Sequence, residues 1–204
     1  MSIWLSQNAA STVHGRRILE LGSGLGISGI AALLAGASSV VLSDYSVDDS
    51  VGTSHAQSAP MEGGVAAKEQ AIRAMRQKRT ILDNLPLSTQ LSGVEGAVST
   101  FGLDWNACLA PSFEPSETFD VLIGSDLIYH ASNARPLCAA VLAHLNPDGV
   151  FYLMSQRDRA GLPVLLQLLD ECGELQCEDF TLSHDHGIAP VVLSTFRPLM
   201  KSKT

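Results

Sequence analysis

The chain has 204 residues, which suits one domain of ordinary size, and 46% of them are hydrophobic, enough for a sizeable core. Only 17% are charged and the net charge is -8, which argues against a nucleic-acid binder that relies on a broad basic face. The most apolar stretch, residues 27–42, is interrupted by glycine and serine, so we expect no membrane span.

The chain opens with a βαβ pattern. Residues 16–21 predict a short strand that leads into a glycine-rich turn, and residues 27–35 predict a helix capped at its end by Gly36. Residues 39–43 predict a second buried strand, which ends at Asp44. A unit of this kind predicts a parallel sheet.

Residues 46–66 break this rhythm, because they are rich in Ser, Gly, Ala and Asp and show no hydrophobic period. We interpret them as a flexible insertion within one domain. Residues 67–82 predict a helix with a basic face, supported by a pair of opposite charges, Glu69 and Arg73, four residues apart. That face indicates solvent exposure, with a docking surface for an acidic partner as the alternative.

The rest of the chain alternates strands and helices. We predict strands at residues 94–101, 119–124, 149–154, 175–182 and 191–197, and helices at residues 133–145 and 162–172. The loop at residues 183–190 is too short for a helical crossover, which favours an antiparallel hairpin. The sequence therefore predicts an α/β, Rossmann-like, doubly wound sheet, mostly parallel and seven-stranded, with an antiparallel hairpin at its C-terminal end.

The most informative segment is the turn LELGSGLG at residues 19–26. Gly22, Gly24 and Gly26 let the backbone turn tightly and let a ligand lie against the main chain. The turn also fits the dinucleotide fingerprint G-x-G-x-x-G, so by itself it leaves a nicotinamide-dependent oxidoreductase open. Glu20 favours the ammonium of an amino-acid tail, directly or through water, and disfavours a pyrophosphate. The Y-x-x-x-K pair of short-chain dehydrogenases is also missing.

Acidic side chains follow the next two strands. Asp44 stands where a carboxylate can accept both hydroxyls of a ribose. Asp104 follows the third strand and can accept an adenine amino group, while the indole of Trp105 can pack on the adenine face. The alternative for Trp105 is a buried core aromatic.

The series Glu20-x-Gly22-x-Gly24-x-Gly26, with Asp44 ending the next strand, resembles the motifs of class I methyltransferases. Three further features resemble methyltransferase family 16, the seven-β-strand protein-lysine methyltransferases. They are Leu103-Asp104-Trp105 after the third strand, the D-x-x-Y pair Asp126 and Tyr129 in GSDLIY after the fourth strand, and Trp4 upstream of the glycine turn. The resemblance covers most of the chain from Ile3 to about Arg197, outside residues 46–66.

The resemblance implies a single methyltransferase domain, residues 1–204, that uses S-adenosyl-L-methionine to methylate a lysine of a soluble protein. By the same resemblance, Glu20 and the glycines of the turn hold the methionine part, Asp44 the ribose, and Asp104 and Trp105 the adenine, while Trp4 and Ser125 lie beside the cofactor. Asp126 and Tyr129 face the substrate amine; the alternatives are a helix cap for Asp126 and a half-buried packing residue for Tyr129. We expect a monomer in the cytoplasm or nucleus, with no nucleic-acid or membrane partner.

The chain departs from the family near its start. Family members carry strands before the upstream tryptophan, whereas Trp4 lies almost at the beginning here, which keeps open a non-catalytic cofactor-binding or interaction protein of the same fold. The N-P-P-[YF] motif of adenine and glutamine methyltransferases is absent, which argues against adenine and glutamine as substrates.

We assign no catalytic or metal-binding role to the remaining histidines, cysteines and arginines discussed below. The His184-Asp185-His186 loop has no zinc spacing, so we expect no metal, and we expect the four cysteines to be reduced thiols. Arg157 and Arg159 follow the fifth strand, where we favour a solvated loop over the lining of a substrate cleft.

Overall fold

The computed structural model describes residues 1–45, 85–94, 97–180 and 190–199. Its strands are β1 (Arg17–Leu21), β2 (Ser39–Asp44), β3 (Val98–Gly102), β4 (Phe119–Ser125), β5 (Leu145–Gln156), β6 (Gly173–Phe180) and β7 (Val191–Pro198). They form one seven-stranded sheet in the order β3-β2-β1-β4-β5-β7-β6. The first five are parallel, and β7 lies antiparallel between β5 and β6. The predicted α/β fold with its C-terminal antiparallel pair is confirmed.

Helices cover both faces of the sheet. The described helices are α1 (Ser2–Gln7), α2 (Ala9–Thr12), α3 (Ile27–Leu34), α4 (Leu85–Leu91), α5 (Ala134–His144) and α6 (Leu162–Asp170). Neighbouring residues of β1 point to opposite faces, so Ile18 joins a core with Leu5 and Ala32, while Leu19 joins a second core with Leu137 and Leu165. Because both faces are buried, these strands read as nearly continuous apolar runs.

Several boundaries differ from the sequence-based prediction, each for a local reason. The helices α1, α2 and α4 were not predicted, because short helices show too few turns for a period to be read. In α4 a proline also follows the first residue, which reads as a helix breaker although proline is tolerated in a first turn.

Two strands begin four residues away from the predicted position. Strand β3 begins at Val98, later than the predicted 94–101. Strand β5 begins at Leu145, because an irregularity in its pairing with β4 absorbs the turn-like segment before Gly149.

Some predicted features lie outside the described residues. They are the insertion at 46–66, the helix at 67–82 and residues 183–189 of the loop before β7. In the described part of the chain, we find no helix with the length and apolar character needed to span a bilayer.

Candidate active site

The carboxyl ends of β1, β2, β3 and β4 meet at one edge of the sheet, because these strands run parallel. In an α/β sheet, ligands bind at this edge. A cavity of about 250 Å³ opens there. Its lining comes from the loops after these strands and the start of α5: Gly22, Asp44, Tyr45, Leu103, Asp104, Trp105, Asn106, Asn133 and Pro136. Four of the predicted site residues are thus brought together, whereas Tyr45, Asn106 and Asn133 were not predicted.

A larger depression of about 440 Å³ lies elsewhere, between α1 and α3. Its lining consists of Ser2, Ile3, Ser6, Ala31, Leu34 and Ala35, none of which is titratable. The smaller cavity at the strand ends is therefore the candidate site, because charged and aromatic side chains converge there.

The glycine turn adopts backbone angles that L side chains rarely reach. Gly22, Gly24 and Gly26 have φ of +57°, +54° and +76°. The turn is held by hydrogen bonds from the Gly26 N–H to the Ser23 carbonyl at 2.7 Å and from the Ser23 N–H to the Ser43 carbonyl at 2.8 Å. A Cβ placed on Gly24 would meet nothing within 4 Å, so the backbone there borders open space.

Glu20 lies on the face of the sheet that α3 covers and is only 3% exposed. Its Oε2 accepts a hydrogen bond from the Gly29 N–H at 2.8 Å, so the carboxylate caps the first turn of α3. Burial raises the pKa of Glu20 to about 7; hydrogen bonds from Gly29 and Ser28 oppose the rise, and the charge of Asp44 adds a small part of it. Contact between Glu20 and a ligand ammonium stays a prediction.

The position of Glu20 also bears on the oxidoreductase alternative. A pyrophosphate in a dinucleotide fold binds to the free N–H groups at the start of the helix after the glycine turn. Here the Gly29 N–H donates to Glu20 instead. The start of α3 is therefore a poor pyrophosphate site.

Asp44 links the end of β2 to the glycine turn. Its Oδ2 accepts from the Gly24 N–H at 2.8 Å, and its Oδ1 accepts from the Tyr45 N–H at 2.7 Å. The side chain remains partly exposed and lines the cavity, so its other lone pairs are available for ribose hydroxyls.

Asp104 and Trp105 form the wall of the cavity that follows β3. The Asp104 Oδ1 accepts from the Asn106 N–H at 2.9 Å and from the Asn106 Nδ2 at 3.0 Å. The loop is tied to β2 by a hydrogen bond from the Leu103 N–H to the Asp44 carbonyl at 2.9 Å. Trp105 is half-buried, packs on the core beneath α5 and also lines the cavity, and its contact with an adenine stays a prediction.

Trp4 lies in α1, on the same face as α3. Its ring packs against Tyr152 of β5, with ring centroids 5.1 Å apart. The Met1 amino group at the start of α1 contacts the Met154 Sδ, and Met154 pairs with Ser125 at the end of β4. Helix α1 therefore begins near the candidate site, and the predicted place of Trp4 beside the cofactor stays a prediction.

The segment after β4 holds the predicted catalytic pair. Ser125 ends β4 and is exposed, and Asp126 has a φ of +56°, a left-handed conformation that aspartate adopts more readily than most residues other than glycine. The Asp126 N–H donates to the Met154 carbonyl at 2.8 Å. The Tyr129 hydroxyl lies 3.5 Å from the Asp126 Oδ2, and its ring is 51% exposed. This turn aims a carboxylate and a phenol at the same place.

Arg159 completes this group, and the expectation of a solvated loop was wrong for it. Its Nε donates to the Asp126 Oδ1 at 2.7 Å, and its Nη2 donates to the Asp126 Oδ2. Its guanidinium lies over the Tyr129 ring, 4.3 Å from the centroid. Parallel pairing of β4 with β5 was the signal available in the sequence, because it brings the loops after both strands to one edge. The neighbouring Arg157 is exposed and pairs with Asp179 of β6.

Metal ligands are not grouped in the part of the chain that the structure describes, where no cluster of three or more His, Cys, Asp or Glu side chains is found. Residues 184–186, which were considered for this purpose, lie outside that part.

Two comparisons with known proteins relate this chain to lysine methyltransferases. A family model described as lysine methyltransferase matches residues 1–54 and 74–171. A curated relative, the protein N-terminal and lysine N-methyltransferase efm7 of Schizosaccharomyces pombe, is 24% identical over 159 residues. That match covers 74% of this chain and 50% of the relative, so the chain spans about half the length of this curated relative.

Solved structures share the fold at low identity. A ribosomal protein L11 methylase of Lactobacillus delbrueckii aligns with a TM-score of 0.56 and 19% identity, over 97% of this chain and 79% of that one. An O-methyltransferase of Bacillus cereus in complex with S-adenosylhomocysteine aligns with a TM-score of 0.57 and 15% identity, over 96% and 78%. A tRNA methyltransferase of Bacillus subtilis aligns with a TM-score of 0.59 and 14% identity, over 96% and 66%. At such identities the likeness concerns the fold.

Proposed function

Because this chain belongs to the lysine methyltransferase family, whose cofactor is S-adenosylmethionine, we propose that it transfers a methyl group to a lysine side chain of a protein. One observation carries the proposal. Strands β1 and β4 are neighbours in register, with Leu21 opposite Gly124, so the glycine turn and the Asp126–Tyr129 pair begin side by side. A cofactor site and a substrate site then share one edge of the sheet.

The residues at that edge fit S-adenosylmethionine. The turn presents open backbone at Gly24, and the Ser23 Oγ is buried with no hydrogen-bond partner among the described residues. Asp44, Asp104 and Trp105 converge on the adjoining cavity and supply two carboxylates and an aromatic face. These groups match the chemistry of the three parts of the cofactor: an amino-acid tail, a ribose and an adenine.

In the proposed site, the turn from Gly22 to Gly26 and Glu20 hold the methionine part, with Trp4 and Ser125 beside it. Asp44 holds the ribose, and Asp104 and Trp105 hold the adenine. When bound, S-adenosylmethionine supplies an electrophilic methyl group on a positively charged sulfur.

The chain's own contribution to methyl transfer is mainly positioning, which can supply several kcal/mol of the barrier. Asp126 orients the incoming amine through its carboxylate. Tyr129 forms a hydrogen bond with the amine through its hydroxyl, and its ring forms one side of the substrate site. The amine must arrive without its extra proton, because only the neutral form has a lone pair. That lone pair forms the N–C bond as the C–S bond breaks, and the product ammonium then releases a proton to water.

The test is methyl transfer by the purified full chain. The chain is incubated with S-adenosylmethionine labelled in its methyl group and a soluble protein extract; the proteins are then hydrolysed and the labelled amino acids identified. We expect labelled methyl-lysine, and a loss of about 100-fold in Asp126→Asn, because a small misplacement of the reacting amine costs about this factor in rate. Tyr129→Phe tests the phenol in the same way. Asp170→Asn, an exposed change at the end of α6, is the matched control.

The outcomes separate the alternatives. Label in nuclease-sensitive material would make the substrate a nucleic acid and contradict the proposal. Tight binding of S-adenosylhomocysteine with no transfer to any protein would instead support a non-catalytic cofactor-binding protein. A monomeric state and a cytoplasmic or nuclear location stay predictions, to be checked by light scattering and by imaging of a tagged chain.

A further inference from the structure

A positive charge already lies against both side chains that are proposed to face the amine. The guanidinium of Arg159 donates to both carboxylate oxygens of Asp126, and the same guanidinium covers the Tyr129 ring at 4.3 Å. An Arg–carboxylate pair with two parallel hydrogen bonds is the strong and well-oriented form of this contact. Asp126 is therefore a paired carboxylate, although 32% of its side chain remains exposed.

The pairing changes the charge that an incoming amine meets. A lone carboxylate close to a lysine stabilises the ammonium form, which cannot attack a methyl group. A paired carboxylate and guanidinium carry no net charge together, while the carboxylate keeps lone pairs that can accept from a neutral amine. The hydrogen bonds that Arg159 donates to Asp126 raise the pKa of Arg159 further, so the guanidinium stays charged.

Other charged and titratable groups near the pair lie on the same two loops and at the start of α1, where the Met1 amino group contacts the Met154 Sδ. Tyr129 and His130 follow Asp126 on the loop after β4, and Arg157 and Asp158 precede Arg159 on the loop after β5. Arg157 is paired with Asp179 and adds no net charge. Asp158 adds a negative charge that every Arg159 variant shares, so comparison between variants isolates Arg159.

We propose that Arg159 neutralises Asp126, so that a target amine meets Asp126 and Tyr129 in its uncharged, nucleophilic form. This inference rests on the proposed function, because it assigns Asp126 to the substrate amine. Arg159 acts through Asp126 and is a positioning residue.

The first experiment compares the pH dependence of methyl transfer in four proteins: the wild type, Arg159→Gln, Arg159→Lys and Arg157→Gln. Initial rates at saturating extract concentration follow kcat, which reports the protonation of the bound amine, and they rise with pH as that amine loses its proton. In Arg159→Gln we expect the midpoint of this rise to move up by roughly one to two pH units, with the rate approaching that of the wild type at high pH. Arg159→Lys restores the charge and Arg157→Gln removes a remote one, so both should keep the wild-type midpoint. A loss of rate in Arg159→Gln by the same factor at every pH would overturn the proposal.

The second experiment needs no activity. Methylammonium chloride is titrated into each protein without cofactor, with sodium chloride as the ionic-strength control, and the Tyr129 ring signals are followed by NMR. We expect Arg159→Gln to bind methylammonium at least several-fold more tightly than the wild type, and the double variant Asp126→Asn/Arg159→Gln to lose this gain. Equal binding by Arg159→Gln and the wild type would overturn the proposal.

The two experiments distinguish a failure of the proposed function from a failure of the role proposed for Arg159. A wild type that transfers no methyl group contradicts the proposed function, and the methylammonium titration still decides the charge of the pocket. Unchanged affinity for S-adenosylhomocysteine in Arg159→Gln establishes that the variant is folded and that its cofactor site is intact.

Discussion

Asp44 accepts a hydrogen bond on its Oδ2 from the Gly24 N–H at 2.8 Å, although 20 residues separate the two in sequence. The carboxylate proposed to bind the ribose therefore also holds the glycine turn in place. The proposed ribose binding and the geometry of the turn would then depend on the same side chain.

This double role predicts a graded loss of cofactor affinity. Asp44→Asn keeps one acceptor oxygen and loses the charge, whereas Asp44→Ala loses both acceptors. Hydrogen bonds to charged groups contribute about 1.5–3 kcal/mol each, so we expect the Kd for S-adenosylhomocysteine to rise about tenfold in Asp44→Asn and about 100-fold in Asp44→Ala. Calorimetric titration measures this, with Asp170→Ala as the exposed control. A wild-type Kd in Asp44→Ala would remove Asp44 from the cofactor site.

The open backbone at Gly24 can be tested against a second glycine with the same strain. Gly24 and Gly15 have φ of +54° and +71°, and a Cβ on either would meet nothing within 4 Å. Replacing either by alanine should therefore lower the free energy of unfolding by about 1–2 kcal/mol, measured by urea denaturation. Only Gly24→Ala should also weaken S-adenosylhomocysteine binding, because its methyl group projects where the ligand lies. Equal affinities in the two variants would contradict that placement.

The two tryptophans report on the two ends of the proposed cofactor site. We expect S-adenosylhomocysteine to change the fluorescence of the wild type, and Trp4→Phe to retain most of the change, because Trp105 lines the cavity at the strand ends. Trp105→Phe leaves Trp4 as the single indole. Any remaining change in that variant measures the predicted proximity of Trp4 to the cofactor. A full change in Trp105→Phe would instead place the adenine away from Trp105.

Glu20 should make stability depend on pH in an unusual direction. Its pKa of about 7 in the folded protein lies above its ordinary value of 4.5, so the folded chain holds a proton that the unfolded chain releases. The stability that Glu20 contributes therefore falls as pH rises from 4.5 to 7, by up to roughly 3 kcal/mol. Glu20→Gln cannot titrate, so its free energy of unfolding should rise relative to the wild type across this window, as measured by urea denaturation.

His144 supplies the control of opposite sign. Burial between Phe101 and Phe113 lowers its pKa, so the folded protein loses stability as pH falls below the ordinary value of 6.5, where the unfolded chain takes up a proton. His144→Gln should gain stability relative to the wild type as pH falls. If both variants differed from the wild type by a constant at every pH, neither group would titrate as its burial requires.

The fold was largely predictable from the sequence, and so was the place in the fold of the residues proposed to hold the cofactor. The glycine turn, Glu20 and Asp44 lie within a βαβ unit, where strand, turn and helix follow one another and local spacing fixes which residues share the edge. The antiparallel end of the sheet followed from the shortness of one loop. The predicted ends of helices and strands were wrong where local signals were misleading, as at the proline in α4 and the turn-like start of β5.

The sequence by itself determined the fold class, the family and the residues at the strand ends, because each rests on a pattern within a few neighbouring residues. Only the tertiary structure decided two electrostatic facts: that Glu20 is buried against the Gly29 N–H, and that Arg159 is paired with Asp126. Charge and pKa depend on burial and on partners that lie across the sheet, 33 residues away in the second case. The predicted parallel pairing of β4 with β5 brings their two loops together, but only the packing of the folded chain decides that Arg159 and Asp126 are the side chains that meet.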